Sequence, residues 1–246
     1  MKQYLTFLPN TLTLGNLAMG ILAILALFDD RPLWAVSFLL AAMVLDFFDG
    51  FAARWLGVSG ELGKQLDSLA DLVSFGVVPT IWLLFALKKT CFCVYTNDAD
   101  SILDTLLNKP SLGIPLLVAI AAAYRLATFN IDQRQSSRFI GLPTPANAWM
   151  IMSIPLAIYY DPQGVLAVWG EDPRFLMGVS IFSAWAMTST LNLPSFKMTS
   201  LSPKVYPEPY LLLLLCLVLL PFLGWSAPFF WVIGYLLIGG LFSLRK

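Results

Sequence analysis

The stretch VLDFFDGFAARWLG, residues 44–57, places two aspartates and one arginine in a segment that is otherwise apolar enough to lie in a membrane. Asp46 and Asp49 are three positions apart, so they share one face if the segment is a helix. An uncompensated aspartate in the middle of a membrane costs about 2.5–3.5 kcal/mol on insertion scales. The segment therefore needs partners elsewhere in the chain that offset this cost.

The composition is that of an integral membrane protein. Of the 246 residues, 58% are hydrophobic and 12% are charged, and the mean hydropathy is +0.76, well above the usual range of soluble domains. The apolar runs are long and lack the alternation of membrane β-barrel strands, so the spanning segments should be helices. The formal net charge is zero, which does not indicate nucleic-acid binding. We predict an all-α, polytopic helix bundle in a lipid bilayer.

Eight apolar segments are long enough to be candidate membrane spans. They cover approximately residues 9–28, 32–57, 66–87, 111–130, 146–160, 174–190, 209–223 and 226–243. No internal repeat or low-complexity tail divides the chain. We predict one domain over residues 1–246, with a core of about 9–200 and extra helices at about 209–243.

The basic residues predict the orientation of these spans. With the N-terminus inside, ten basic residues fall on the cytoplasmic side and five on the other, as the positive-inside rule requires. The cytoplasmic set is Lys2, Arg54, Lys64, Arg125, Arg134, Arg138, Lys197, Lys204, Arg245 and Lys246, and the outer set is Arg31, Lys88, Lys89, Lys109 and Arg174. We predict a multi-pass protein of the cell (inner, or cytoplasmic) membrane with both termini in the cytoplasm.

Four aspartates are predicted to converge in the cytoplasmic half of the membrane. Asp46 and Asp49 lie near the end of the second span, and Asp67 and Asp71 lie near the start of the third, which runs back outward. Each pair has helical spacing, so each occupies one helix face. The alternative is that these are helix-end carboxylates, neutralised by Arg54 and Lys64.

Divalent cations would offset the cost of placing four carboxylates in the membrane. The chain has no histidine, and carboxylates alone suit Mg²⁺, Mn²⁺ or Ca²⁺. Four such groups would neutralise two cations, and a two-metal centre can clamp a pyrophosphate for an in-line displacement. A different class of function, a divalent-cation transporter with an Asp-lined path, is less favoured because the spans show no paired halves.

The carboxylates belong to a longer pattern, which is Asp46-x2-Asp49-Gly50-x2-Ala53-Arg54-x8-Gly63-x3-Asp67-x3-Asp71. This pattern matches the signature of the CDP-alcohol phosphotransferase family, which it resembles at all eight fixed positions. The resemblance implies a membrane enzyme that moves a substituted phosphate from a CDP-linked donor to an alcohol and releases CMP.

The resemblance also implies roles for these residues. The four aspartates would hold two divalent cations, Mg²⁺ or Mn²⁺, and Asp71 would in addition be the catalytic base that deprotonates the acceptor hydroxyl. Gly50, Ala53, Arg54 and Gly63 would surround the cytidine and the phosphates. The family resemblance further implies a homodimer.

Segments on either side of the signature resemble the phosphatidylserine-forming branch of that family. They are PNTLTLGNL at 9–17, GKQLDSLADLVSFGVVP at 63–79, YRLATFN at 124–130, FIGLPTPANA at 139–148 and SFK at 195–197. This implies CDP-diacylglycerol as donor and L-serine as acceptor. Relatives in the family that use glycerol 3-phosphate or an inositol phosphate remain the alternative, since Arg125, Arg134 and Arg138 could serve a dianionic acceptor.

Several flanking residues have two interpretations. Asn10 and Thr11 either cap the first helix or contact the nucleotide. Arg125 either binds an anion of the acceptor or extends to the membrane surface. Arg134 and Arg138 are topological charges, or one of them holds the serine carboxylate. Asn130 is either a helix cap or a polar residue of the site. We predict Arg125, Asn130, Arg134 and Arg138 as the acceptor-binding set.

Overall fold

The computed structural model describes residues 7–58, 60–92, 106–107, 109–131, 139–193 and 207–243. Ten α-helices are defined within these ranges, joined by one π-helical and two 3₁₀-helical segments. The helices are α1 Phe7–Phe28, α2 Pro32–Leu56, α3 Glu61–Asp71, α4 Val78–Phe92, α5 Leu116–Ile131, α6 Thr144–Tyr160, α7 Val165–Gly170, α8 Pro173–Thr188, α9 Pro207–Leu223 and α10 Ala227–Ser243. The π segment is Leu72–Val77, and the 3₁₀ segments are Pro110–Gly113 and Gly224–Ser226.

The predicted fold class is confirmed. Each of the eight apolar segments coincides with one of these helices, and α3, the π segment and α4 together form the third. Within the described ranges, five stretches are long and apolar enough to cross a membrane, which makes this a multi-pass membrane protein. They are Phe7–Phe28, Pro32–Leu56, Glu61–Thr90, Pro110–Ile131 and Val218–Leu241. The count of eight spans and their orientation stay predictions.

The turn between α2 and α3 brings the two acidic segments together. Gly57 ends α2 in the left-handed conformation, with φ of 63°, where a residue without a side chain avoids the steric penalty. The backbone N–H groups of Gly57 and Val58 bond to the carbonyls of Arg54 and Ala53. Gly60 then adopts an extended backbone, and α3 begins at Glu61, where an acidic residue favours a helix N-terminus.

The third helical region begins earlier than the sequence predicts. The apolar pattern places its start near residue 66, whereas α3 begins at Glu61. The first turn of α3 is polar, so counting apolar residues could not include it. This turn extends the helix beyond the apolar part of the span and places Gly63 and Lys64 on a regular helix.

The core is formed around α6, in which every residue from 150 to 157 is buried. A helix that is apolar on all sides belongs in the interior of a bundle. Before α6, a short antiparallel pair joins Phe139–Ile140 (β1) to Asn192–Leu193 (β2). Next to this pair, Gly141 has a φ of +72°, and an added Cβ would lie 2.6 Å from the Met187 carbonyl oxygen. The segment therefore packs too closely for a side chain at that position.

Candidate functional site

The four predicted aspartates lie together where α2 and α3 approach each other. One carboxylate oxygen from each of Asp46, Asp49 and Asp67 lies within 4.8 Å of the others. Asp71 is one helical turn further along α3, is only 7% exposed, and is near enough for its charge to interact with the charges of those three. The convergence expected from helical spacing is therefore present in the structure.

The first three of these carboxylates could hold a metal ion. They offer only oxygen ligands, which suit hard divalent cations. Oδ1 of Asp67 is buried and has no hydrogen-bond partner among the described residues. Because an unpaired buried acceptor costs about 1–3 kcal/mol, and more when it is charged, a cation at this position would offset an existing cost. The residues therefore fit a metal site.

A polar face of α1 supports two of the aspartates. The Thr13 hydroxyl donates to Oδ2 of Asp49 at 2.6 Å, and the Asn16 amide donates to Oδ1 of Asp71 at 3.1 Å. Both α1 residues are buried. The sequence prediction did not include Thr13 or Asn16 in the site. Their signal is the spacing of Asn10, Thr13 and Asn16, since three positions apart in a helix place side chains on one face.

The π segment after Asp71 brings α1 and the third helical region into direct contact. The Ser74 hydroxyl donates to the backbone carbonyl of Asn16 at 3.1 Å. One turn further along α1, an added Cβ on Gly20 would lie 2.4 Å from Oγ of Ser74 and 3.0 Å from its Cα. π-Helical turns are rare and often occur at functional sites. Here the turn directly follows a site carboxylate and fixes the α1 face that contacts it.

A cavity of about 620 Å³ opens beside the carboxylates. It is lined by Pro9, Asn10, Thr13, Asp49, Gly50, Ala53, Arg54, Val58, Gly60, Glu61, Gly63, Lys64 and Asp67. Five of the six residues predicted to contact the nucleotide or phosphates are in this lining. A side chain at Gly50 would approach Nη1 of Arg54 to 3.2 Å, and one at Gly63 would approach Oδ1 of Asn10 to 3.3 Å. The two glycines thus keep the cavity open.

Thr11 is the predicted nucleotide contact that the structure does not bring to the cavity lining. Its hydroxyl donates to the carbonyl oxygen of Phe7 at 2.8 Å, and the side chain is exposed. The capping alternative for Asn10 and Thr11 is wrong, because α1 already includes Phe7 and both residues lie inside the helix. Asn10 instead projects into the cavity.

Asn130, a predicted acceptor residue, contacts α3 close to the aspartates. Its side-chain amide donates to Oγ of Ser68 at 2.8 Å, and its backbone carbonyl accepts a hydrogen bond from the Lys64 ammonium. Lys64 also lines the cavity, and Ser68 follows Asp67 directly. The end of α5 is therefore attached to the same helix that carries two of the carboxylates.

Arg125 is buried in the structure, which decides one of its two interpretations. It is 7% exposed, so extension to the membrane surface is wrong. Its Nε donates to the carbonyl oxygen of Leu142 at 2.5 Å and its Nη2 to that of Gly141 at 3.4 Å. The guanidinium therefore holds the backbone that precedes α6, and its role in acceptor binding stays a prediction. Arg134 and Arg138 lie outside the described residues.

Comparisons with known proteins identify the family to which the chain is similar. Residues 6–190 match the CDP-alcohol phosphatidyltransferase family. The chain is 35% identical over 195 residues to a CDP-diacylglycerol–serine O-phosphatidyltransferase of Bacillus subtilis strain 168, covering 78% of this chain and 93% of that protein.

Two further relatives have lower sequence identity to this chain. A protein of the same name from Helicobacter pylori strain J99 is 28% identical over 200 residues, or 80% of this chain and 76% of that one. An archaetidylserine synthase of Methanothermobacter thermautotrophicus is 32% identical over 157 residues, or 63% and 60% of the two chains. Since the family match extends over three quarters of the sequence and includes all four aspartates, the chain belongs to the CDP-alcohol phosphatidyltransferase family.

Proposed function

We propose that the protein transfers the phosphatidyl group of CDP-diacylglycerol to the hydroxyl group of L-serine, giving phosphatidylserine and CMP. The observation that carries this proposal is the cluster of Asp46, Asp49 and Asp67 at the edge of a cavity of about 620 Å³. The serine acceptor is supported by the 35% identity to a relative whose name specifies serine, which extends over 78% of this chain.

The proposed metal ligands are the four aspartates Asp46, Asp49, Asp67 and Asp71, which would hold two divalent cations, Mg²⁺ or Mn²⁺. Bound there, the cations would neutralise the pyrophosphate and stabilise the charge on the departing CMP. The unpaired Oδ1 of Asp67 and the absence of histidine from the sequence support this assignment. Thr13 and Asn16 would hold Asp49 and Asp71 in fixed orientations through their hydrogen bonds.

The chain's own groups account for binding and proton transfer. Asp71 takes the proton of the serine hydroxyl, whose oxygen then attacks the phosphorus that carries the diacylglycerol. The bond from that phosphorus to the bridging oxygen breaks, and CMP leaves with the bonding electrons. Arg54 offers a guanidinium to the phosphates, and Asn10, Gly50, Ala53 and Gly63 shape the surrounding nucleotide site. Thr11, which is not part of the cavity lining, stays a candidate for the nucleotide site.

The acceptor side of the proposed site lies toward the end of α5. Asn130 is the described residue that supports this placement, through its contacts with Ser68 and Lys64. Arg134 and Arg138 follow it in the sequence and would contact the serine carboxylate. Arg125 would act indirectly, by holding the backbone before α6.

The proposed setting is the cytoplasmic membrane, with the catalytic cavity facing the cytoplasm. The support is the excess of basic residues on that side, ten against five. Eight spans, a single domain over residues 1–246 and a homodimer complete the proposal. Transport of divalent cations finds no support, because the chain belongs to a family of transferases.

The experiment that tests this function compares acceptor alcohols. Purified protein is incubated with CDP-diacylglycerol and Mn²⁺, and CMP release is measured with L-serine, glycerol 3-phosphate or an inositol phosphate. We expect CMP release that depends on serine and stops when a chelator is added. Release that depends on one of the other two alcohols, with none from serine, would end the serine assignment and leave the family assignment intact.

A further inference from the structure

Asn16 is a buried amide held in place from two sides. Its side chain is 0% exposed, and its Nδ2 donates to Oδ1 of Asp71 at 3.1 Å. Its backbone carbonyl accepts the hydroxyl of Ser74 at 3.1 Å, and the close contact at Gly20 holds α1 against the same segment. The position of the amide is therefore determined by the packing of two helices.

The oxygen of the Asn16 amide, unlike its nitrogen, makes no hydrogen bond to the described residues. Oδ1 of Asn16 is buried and has no hydrogen-bond partner in the part of the chain that the structure describes. Leaving a buried acceptor unpaired costs about 1–3 kcal/mol. Reversing the amide would place two acceptors, Oδ1 and the Asp71 carboxylate, against each other. The oxygen therefore faces away from Asp71 and lacks a donor among the described residues.

The position of this oxygen suggests which donor it meets. Nδ2 and Oδ1 are attached to the same carbon, so the unpaired oxygen lies within one amide group of the proposed base. L-serine carries its ammonium group two carbons from the hydroxyl that reacts. When that hydroxyl is at Asp71, the ammonium is close to the same place, and it has three N–H donors.

Asn16 and Asp71 lie at a similar depth in the site, since their side chains are hydrogen-bonded to each other. Thr13 and Asp67 line the cavity, and Asn16 and Asp71 each follow one of them by about one helical turn. Asn16 and Asp71 therefore lie about one helical turn beyond the cavity lining, at the same level.

We propose that Asn16 is a specificity-determining residue, which holds Asp71 through its Nδ2 and accepts a hydrogen bond from the ammonium group of the acceptor through its Oδ1. The inference rests on the proposed function, because it assumes that the acceptor is a 2-amino alcohol. The hydrogen bond to Asn16 would explain why the enzyme selects an amino alcohol, which the carboxylates alone do not explain.

The test compares two variants. Asn16→Leu removes the NH₂ and the carbonyl oxygen of the side chain at similar volume. Thr13→Val removes the other hydrogen bond from α1 to an aspartate. We expect Asn16→Leu to raise the KM for L-serine at least about tenfold, the effect of losing a hydrogen bond to a charged group. The KM for CDP-diacylglycerol should change less than about twofold on the same scale. Because Thr13 holds Asp49, Thr13→Val should lower kcat, but it should not raise the KM for serine relative to the KM for CDP-diacylglycerol.

A second measurement uses 3-hydroxypropionate, which keeps the hydroxyl and carboxylate of serine but lacks the ammonium. Wild-type protein should bind it at least about tenfold more weakly than L-serine, measured as inhibition of serine-dependent CMP release. Its inhibition constant should be the same for Asn16→Leu as for wild type. Folding of each variant is checked by thermal unfolding in detergent.

Two results would overturn the inference. One is a fall in kcat for Asn16→Leu with an unchanged KM for serine, which would leave Asn16 only its contact with Asp71. The other is equal binding of serine and 3-hydroxypropionate by the wild type, which decides the matter even if the variant does not fold. If the wild-type protein uses serine and either result is found, only the role of Asn16 is excluded. If the wild-type protein does not use serine at all, the proposed function is excluded as well.

Discussion

Asp67 and Asp71 differ in their surroundings although they are one turn apart on α3. Asp67 lines the cavity and has a buried oxygen without a hydrogen-bond partner among the described residues. Asp71 lies deeper and has one oxygen bonded to Asn16. A carboxylate held by one oxygen can present the other to a substrate in a fixed direction. This difference supports Asp71, rather than Asp67, as the proposed base.

We predict that Asp71→Asn lowers the turnover number by at least ~10², because a positioned general base contributes ~10²–10⁴. Binding of the donor should be partly retained, since Arg54 and the other cavity residues are unchanged. The measurements are kcat for serine-dependent CMP release and the affinity for CDP-diacylglycerol. A wild-type rate in this variant would exclude Asp71 as the base.

The matched control for this variant is Asp30→Asn, which makes the same chemical change in the turn between α1 and α2. Asp30 is exposed and has a φ of 53°, a conformation that asparagine also adopts readily. The control should therefore keep both the fold and the rate. A loss of activity in both variants would indicate a general effect on the protein rather than on the base.

At the scale of the elements, the approach of α1 to the π segment determines where the two α1 side chains meet the aspartates. The contact depends on Gly20, where an added Cβ would lie 3.0 Å from the Ser74 Cα atom. Backbone atoms cannot move aside as a flexible side chain can. Small residues allow membrane helices to pack closely in this way.

We predict that Gly20→Ala destabilises the protein by about 1–3 kcal/mol, as overpacking typically does, and lowers the rate by displacing Asn16 and Asp71. Gly178→Ala on α8 is the matched control, because an added Cβ there has nothing within 4 Å among the described residues. The control should be neutral or slightly stabilising, since alanine favours a helix over glycine by up to about 1 kcal/mol. The measurement is thermal unfolding in detergent. Equal melting temperatures for the two variants would show that the contact at Gly20 is not tight.

Helix positions were the part of the fold that the sequence predicted well. Long apolar runs in a membrane must be helical, because backbone groups there have no water to bond, and each predicted run is a helix in the structure. The early start at Glu61 and the π segment Leu72–Val77 were not predicted. The first is polar, so hydropathy does not mark it, and the second depends on contacts with α1 that local sequence does not encode.

At the scale of the whole molecule, the site joins helices that are distant in sequence. Thr13 and Asp49 are 36 positions apart, and Asn16 and Asp71 are 55 positions apart. Spacing within a helix predicts which side chains share a face, but not which other helix that face meets. The sequence therefore predicted the aspartate pairs and the cavity residues around Gly50, and it missed the two partners on α1.

A contact between distant segments also explains why Arg125 does not extend to the membrane surface. A lone arginine in an apolar segment commonly extends toward water, but this one is buried and bonded to two backbone carbonyls before α6. The two carbonyls belong to a tightly packed turn in which Gly141 has a positive φ. That tertiary contact lies outside any window around residue 125.

We propose that the aspartate-lined cavity catalyses phosphatidyl transfer to serine. The mass of the lipid product tests this reaction directly. Purified protein in vesicles that contain CDP-diacylglycerol is given isotopically labelled L-serine with Mg²⁺ or Mn²⁺. We expect a lipid with the mass of labelled phosphatidylserine, formed in step with CMP and absent when the cations are chelated. CMP release without label in any lipid would contradict it.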